Sequence, residues 1–106
     1  MLLVKRDSGI ARIRIRNDSG ANGTYSSLNL KTPNSDWSLY VEGDVNAFRI
    51  YDVGQGFARV HIDGSGNVGI NSITPSARLD VQGDVKITGI VTASTAGIVT
   101  GKQMRS

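Results

Sequence analysis

The chain has 106 residues and a net charge of +3, which fits one small domain or two modules in series. It contains no Cys, which excludes disulfides and thiolate metal sites. No run approaches the roughly 20 apolar residues of a membrane helix, so we expect no membrane insertion. Thirteen Gly against two Phe, one Trp and three Tyr supply few core atoms. Because Gly costs about 0.5–1 kcal/mol relative to Ala in regular structure, we expect self-association to provide a shared core.

The first predicted strand covers residues 10–16, where apolar and basic side chains alternate. Ala11, Ile13 and Ile15 fall on one face, as in a strand with one buried side. The other face carries three arginines: Arg12, Arg14 and Arg16. A basic strand can contact nucleic acid, but a solvated strand face is the simpler interpretation. Nucleic-acid binding therefore stays a minor alternative.

Four more predicted strands cover residues 24–32, 37–42, 48–51 and 57–62. Each alternates apolar with polar side chains, and turn-forming residues separate them. The last two lie about four residues apart, which favours a hairpin. Nowhere do apolar residues keep an i, i+3, i+4 pattern over eleven or more positions. We therefore predict an all-β fold of Gly-rich antiparallel strands and hairpins.

The stretch 63–94 is predicted as a tight turn, a short strand, a Pro-marked turn and two strands broken at Gly83. Thr74 is a possible N-cap for one helical turn through Arg78. Residues 39–45, LYVEGDV, are echoed by residues 79–85, LDVQGDV. The predicted structural turn residues are Asp63, Gly64, Gly66, Asn67, Gly69 and Pro75.

The Gly-rich turn matches two ligand-binding patterns only superficially. Residues 64–69 match G-x-G-x-x-G, but a dinucleotide site needs a helix directly after them, and Pro75 prevents it. Asp63, Ser65 and Asn67 have the spacing of a calcium loop, but its sixth position is Val68 instead of Gly. A hairpin turn explains these residues better. We expect no cofactor and no metal.

Catalytic residues are not indicated. His61 is the single histidine, so three His ligands could meet only on the axis of a trimer. Its alternation with Arg59 predicts that it faces outward, as a solvated or interfacial side chain. No Ser is placed with His61 and an acid in a recognisable triad. We predict that the protein is not an enzyme.

A small set of aromatic and basic side chains offers a possible ligand surface. Aromatic rings stack on sugars, and Arg59 beside Phe57 can form a cation–π contact. Structural strand-pair roles are the simpler interpretation of such sparse aromatics. The candidate ligand contacts are Trp37, Tyr40, Tyr51 and Arg59.

Residues 66–70, GNVGI, followed by residues 74–83, TPSARLDVQG, form a pattern that resembles a known segment. It is similar to GNVGIGT-x-x-P-x-x-K-L-x-V-x-G in tail-fibre and related virion proteins of tailed bacteriophages. Residues 84–94 resemble structural proteins of phages that infect cyanobacteria. Residues 48–51 and 58–62 resemble the strands that precede this segment.

The resemblance covers residues 47–94, just under half of the chain. Asn71 stands where the pattern has Gly, and Arg78 stands where it has Lys. The pattern also occurs in bacterial surface and fibre-like proteins. Residues 1–46 have no clear counterpart. We therefore divide the chain into an N-terminal β module (1–46), a fibre-type β module (47–94) and a C-terminal tail (95–106).

The resemblance implies a homotrimer with its chains wound about a three-fold axis, and a role in virion architecture or host attachment. We expect the trimer to be intertwined or side by side, with an elongated C-terminal part. We expect a virion component made in the host cytoplasm, with other virion proteins and a host-surface glycan or protein as further partners. A glycan- or receptor-binding fibre tip is the alternative to a shaft or collar. The predicted oligomer interface consists of Val81, Val85, Ile87 and Ile90.

Overall fold

A computed structural model describes residues 2–94 of the chain. It contains one six-stranded sheet and, within those residues, no helix. The prediction of an all-β fold is confirmed. The strands are β1 (Tyr25–Thr32), β2 (Ser35–Glu42), β3 (Val45–Asp52), β4 (Phe57–Asp63), β5 (Val68–Ile70) and β6 (Leu79–Val81).

Neighbouring strands in the sheet are also neighbours in the sequence, in the order β1 to β6. The pairs from β1 to β5 are antiparallel, and the predicted β3–β4 hairpin is present. The β5–β6 pair is parallel, so the expectation of antiparallel strands throughout was wrong. A parallel pair requires the chain to cross back before the second strand, and residues 71–78 make that crossing. The predicted module boundary at 46/47 falls inside β3 and stays a prediction.

The strand register places apolar side chains on one face of the sheet and polar side chains on the other. One row pairs Leu28 with Leu39, Leu39 with Ile50, and Ile50 with Val60. This is the apolar face, and its central row continues into β5 and β6. Since side chains alternate between faces along a strand, the intervening residues form the opposite, polar face.

The apolar face has no second layer within the described part of the chain. Only Ala47, His61 and Gly69 are buried among the residues that the structure describes. Leu30 on the apolar face is 56% exposed and Phe48 is 37% exposed. The chain exposes 9012 Å², against about 5,700 Å² expected for a compact monomer of 11.3 kDa. Extended segments before β1 and after β6 contribute to this excess together with the open face.

Residues 10–16 form no strand, so that prediction was wrong. Ile13 and Ile15 are 61% and 51% exposed. The alternation is present, but a strand needs a hydrogen-bonded neighbour, and the sheet begins only at β1.

Two expectations for the C-terminal stretch were also wrong. Residues 74–78 form bends instead of a helical turn, and Asp80 accepts a hydrogen bond from the Ser76 amide at 3.1 Å. After Gly83, whose φ is 146°, no strand is present within the described residues. Val85 and its neighbours extend past the edge strand β6.

The crossing segment 71–78 packs closely on the polar face at Gly69. A Cβ atom at Gly69 would collide with the backbone oxygen of Ser72. Gly69 pairs with His61 in the β4–β5 register, so the crossing segment approaches the sheet next to the buried histidine. Only a residue without a side chain allows this approach.

We predict that Gly69→Ala destabilises the fold by about 1–3 kcal/mol, because the added methyl group must push the Ser72 backbone away. Chemical denaturation measures the change. Gly89→Ala is the matched control, since a Cβ there meets nothing within 4 Å. Equal denaturation midpoints for the two variants would contradict the close packing of the crossing segment.

Candidate functional site

The polar face is organised around the guanidinium group of Arg49. Its Nε donates a hydrogen bond to Nδ1 of His61 at 3.0 Å, and one terminal nitrogen donates to the Tyr40 hydroxyl at 3.2 Å. The same nitrogen lies 3.5 Å from Oε2 of Glu42. The register explains this meeting, because Tyr40, Arg49 and His61 are aligned across β2, β3 and β4. Strands β2 and β4 thus supply partners to one largely buried cation on β3.

His61 is 4% exposed, so the prediction of an outward-facing histidine was wrong. It faces the same side as Arg49, where the crossing segment covers the sheet. Because Nδ1 accepts the bond from Arg49, it carries no proton. Burial and the nearby Arg49 charge both lower the pKa of His61, and Asp63 opposes them.

Three tyrosines lie side by side on the polar face. The Tyr25 and Tyr40 ring centroids are 5.1 Å apart with an interplanar angle of 89°. Tyr40 and Tyr51 are 5.7 Å apart at 68°. Both are edge-to-face arrangements, which aromatic pairs prefer. The charge of Glu42, followed by burial, raises the pKa of Tyr25.

These side chains line an open groove of about 420 Å³, which we call the tyrosine groove. Its floor is the polar face of β1, β2 and β3. The lining residues are Tyr25, Ser27, Ser38, Tyr40, Glu42, Arg49, Tyr51 and Val53.

The structure brings together only part of the predicted ligand surface. Tyr40 and Tyr51 both line the groove, whereas Trp37 pairs with Leu30 on the apolar face. Arg59 does not line the groove. Its guanidinium is paired with Asp52 at 3.1 Å and lies 5.0 Å from the Phe57 ring centroid.

Sequence reasoning missed six of the eight groove residues, among them its other aromatic side chain and its two charged ones: Tyr25, Glu42 and Arg49. These three residues occupy polar positions of predicted strands, so the sequence does indicate that they share the polar face. Their grouping could not be predicted without the strand register, because the register places Tyr25 opposite Glu42 and Tyr40 opposite Arg49.

The predicted turn is built around the carboxylate of Asp63. Its Oδ1 accepts hydrogen bonds from the amides of Ser65 and Asn67, at 2.9 and 3.0 Å. Gly66 has a φ of 83°, which favours glycine. The carboxylate therefore holds the turn. Over residues 2–94, no group of three or more metal-ligating side chains is present.

The predicted interface residues lie at and beyond the edge strand. Val81 is half-buried in β6, next to β5. Val85, Ile87 and Ile90 are 62%, 56% and 92% exposed. They bury little surface within their own chain, and their role in an interface stays a prediction.

Comparisons with known proteins return no match, either among protein-family models or among curated proteins. Within the described part of the chain, no helix is long and apolar enough to span a membrane.

We predict that the free energy of unfolding decreases as the pH falls below about 6.5, the ordinary pKa of histidine. The folded-state pKa of His61 is lower than this value. The unfolded chain therefore binds the proton first, and the loss ends once the pH is below the folded-state pKa. Denaturation curves between pH 7.5 and pH 5 measure it.

His61→Gln is the control, because the Gln side-chain oxygen can accept the bond from Arg49 but does not titrate. The carboxylates contribute equally to both proteins, so the difference between the two pH profiles isolates His61. Parallel profiles would show that His61 is not held neutral by its burial beside Arg49.

Proposed function

We propose that this protein is a non-enzymatic structural module of a phage virion appendage, such as a tail fibre, that assembles as a homotrimer. The observation that carries the proposal is the apolar face, which a single sheet leaves uncovered. Leu30 at 56% exposure and Phe48 at 37% illustrate how much apolar surface is open. The resemblance of residues 47–94 to virion fibre segments supplies the biological setting.

A second copy of the chain is a suitable cover for this face. Contiguous exposed apolar patches on monomers rarely exceed a few hundred Å², and the apolar face carries several large exposed side chains, among them Leu28 at 50%, Leu30 at 56% and Val41 at 47%. Stable interfaces bury about 800 Å² on each partner. Burying the apolar face would contribute the core that the sequence lacks.

Closed cyclic symmetry would also protect the edges of the sheet. Strands β1 and β6 are both edge strands, and unpaired edges invite aggregation. Three copies arranged around an axis would cover the apolar faces and place Val85, Ile87 and Ile90 close to neighbouring subunits. The proposed interface therefore combines the apolar face with the C-terminal residues predicted from the sequence.

The proposed mechanism is mechanical. A trimer of sheets with a buried core is a rigid shaft or collar that positions other virion proteins, or an attachment module. Such a component is made in the host cytoplasm and functions in the virion. The polar faces would remain outside, available to partners.

We predict a species of three times the 11.3 kDa chain mass by light scattering coupled to size exclusion, stable across a dilution series. Leu30→Asp should dissociate it, because a carboxylate would be buried in the interface at a cost of several kcal/mol. Leu30 is already 56% exposed in one subunit, so the subunit fold tolerates the change.

Lys31→Asp is the matched control, at the next position of the same strand but on the polar face. It replaces the ion pair with Asp36 at 3.7 Å by two carboxylates opposite each other in the β1–β2 register, which costs the subunit about 1 kcal/mol but leaves the apolar face unchanged. A monomeric wild-type chain would overturn the shared-core proposal. If both variants dissociate the trimer equally, the interface does not lie on the apolar face.

We predict that Val85→Asp also weakens the trimer. Val85 is 62% exposed within its own subunit, so we expect most of a destabilising effect to arise from contact with a neighbour. Sedimentation velocity and thermal melting measure the change. An unchanged mass and melting temperature would show that Val85 lies outside the interface. The apolar face would then be the main component of the proposed interface.

A further inference from the structure

We propose that the tyrosine groove binds a neutral saccharide. The groove lies on the face opposite the proposed interface, so the inference does not depend on the oligomeric state. Its lining combines three aromatic rings, from Tyr25, Tyr40 and Tyr51, with five hydroxyl groups, two of them from Ser27 and Ser38. A sugar presents the matching surface, with apolar C–H faces and a polar edge of hydroxyls.

The charges in the groove argue against an ionic ligand. Glu42 and Arg49 are its charged side chains, and they are 3.5 Å apart. Arg49 is further occupied by Tyr40 and His61. A phosphate would meet the Glu42 carboxylate, and an ammonium group would meet the Arg49 guanidinium. An uncharged ligand avoids both repulsions.

The rings offer stacking surfaces in more than one direction. Tyr25 and Tyr51 flank Tyr40, each at a large angle to it. The face of an aromatic ring is electron-rich, which attracts the slightly positive C–H groups of a sugar. Tyr25 lies in the edge strand and is 48% exposed, so its ring is the most accessible of the three.

The polar groups of the groove are positioned before any ligand arrives. The buried His61 anchors Arg49, and Arg49 in turn fixes Tyr40 and Glu42. Glu42 can accept hydrogen bonds from sugar hydroxyls, and the serine and tyrosine hydroxyls can both donate and accept. Pre-organisation lowers the entropy cost of binding, which matters for a shallow groove.

The test is an NMR titration of the full chain with maltotriose, cellotriose, mannotriose and chitotriose. We expect at least one of them to shift amide signals of Ser27, Ser38 and Tyr40, with a Kd on the order of 1 mM. Tyr25→Ala should weaken binding at least tenfold. Tyr25→Phe, which keeps the ring and removes the hydroxyl, should give an intermediate loss.

Phe57→Ala is the control, since it removes an exposed aromatic ring that does not line the groove, and binding should be unchanged. The unperturbed amide signals of each variant show whether it remains folded. Failure of all four sugars to shift the groove signals at about 10 mM, ten times the expected Kd, overturns the proposal. Shifts caused only by choline or inorganic phosphate, titrated in parallel, would also overturn it.

Discussion

A single β-sheet cannot bury both of its faces, and the rest of this structure depends on that constraint. The apolar row through Leu39, Ile50 and Val60 is continuous across the sheet, yet no other element of the described chain packs against it. Ala47, His61 and Gly69 are the only buried residues in that part. Because burial of apolar surface is the main stabilising term in folding, a partner on this face would add a core that the described chain does not form by itself.

On the polar face, by contrast, residues of the same chain bury part of the sheet. Segment 71–78 approaches it at Gly69, where Ser72 lies next to the cross-strand partner of the buried His61. Hydrogen bonds from Arg49 then satisfy the groups that this burial removes from water. The two faces therefore differ in role: one is organised by its own side chains, and the other is suited to a second copy. A groove with pre-positioned polar groups can therefore form only on the polar face.

The echoed sequences LYVEGDV and LDVQGDV show how far local sequence determines structure. Residues 39–45 form the end of β2, a turn and the start of β3, whereas residues 79–85 form β6 and then leave the sheet. The two copies differ in the availability of a partner strand, because β3 pairs with β4, and the segment after β6 has no partner strand in the described chain. Residues 10–16 lack a strand for the same reason, despite their regular alternation.

The sequence by itself determined the all-β class, the four long strands from β1 to β4 and the turn at Asp63, because alternation and turn chemistry are local properties. It did not determine the parallel β5–β6 pair, the burial of His61 or the residues of the tyrosine groove. These depend on register, which joins positions far apart in the chain. Tyr40, Arg49 and His61 meet only because three strands align at one row. Only the tertiary structure determines this alignment, because no local sequence pattern specifies which strand positions face each other.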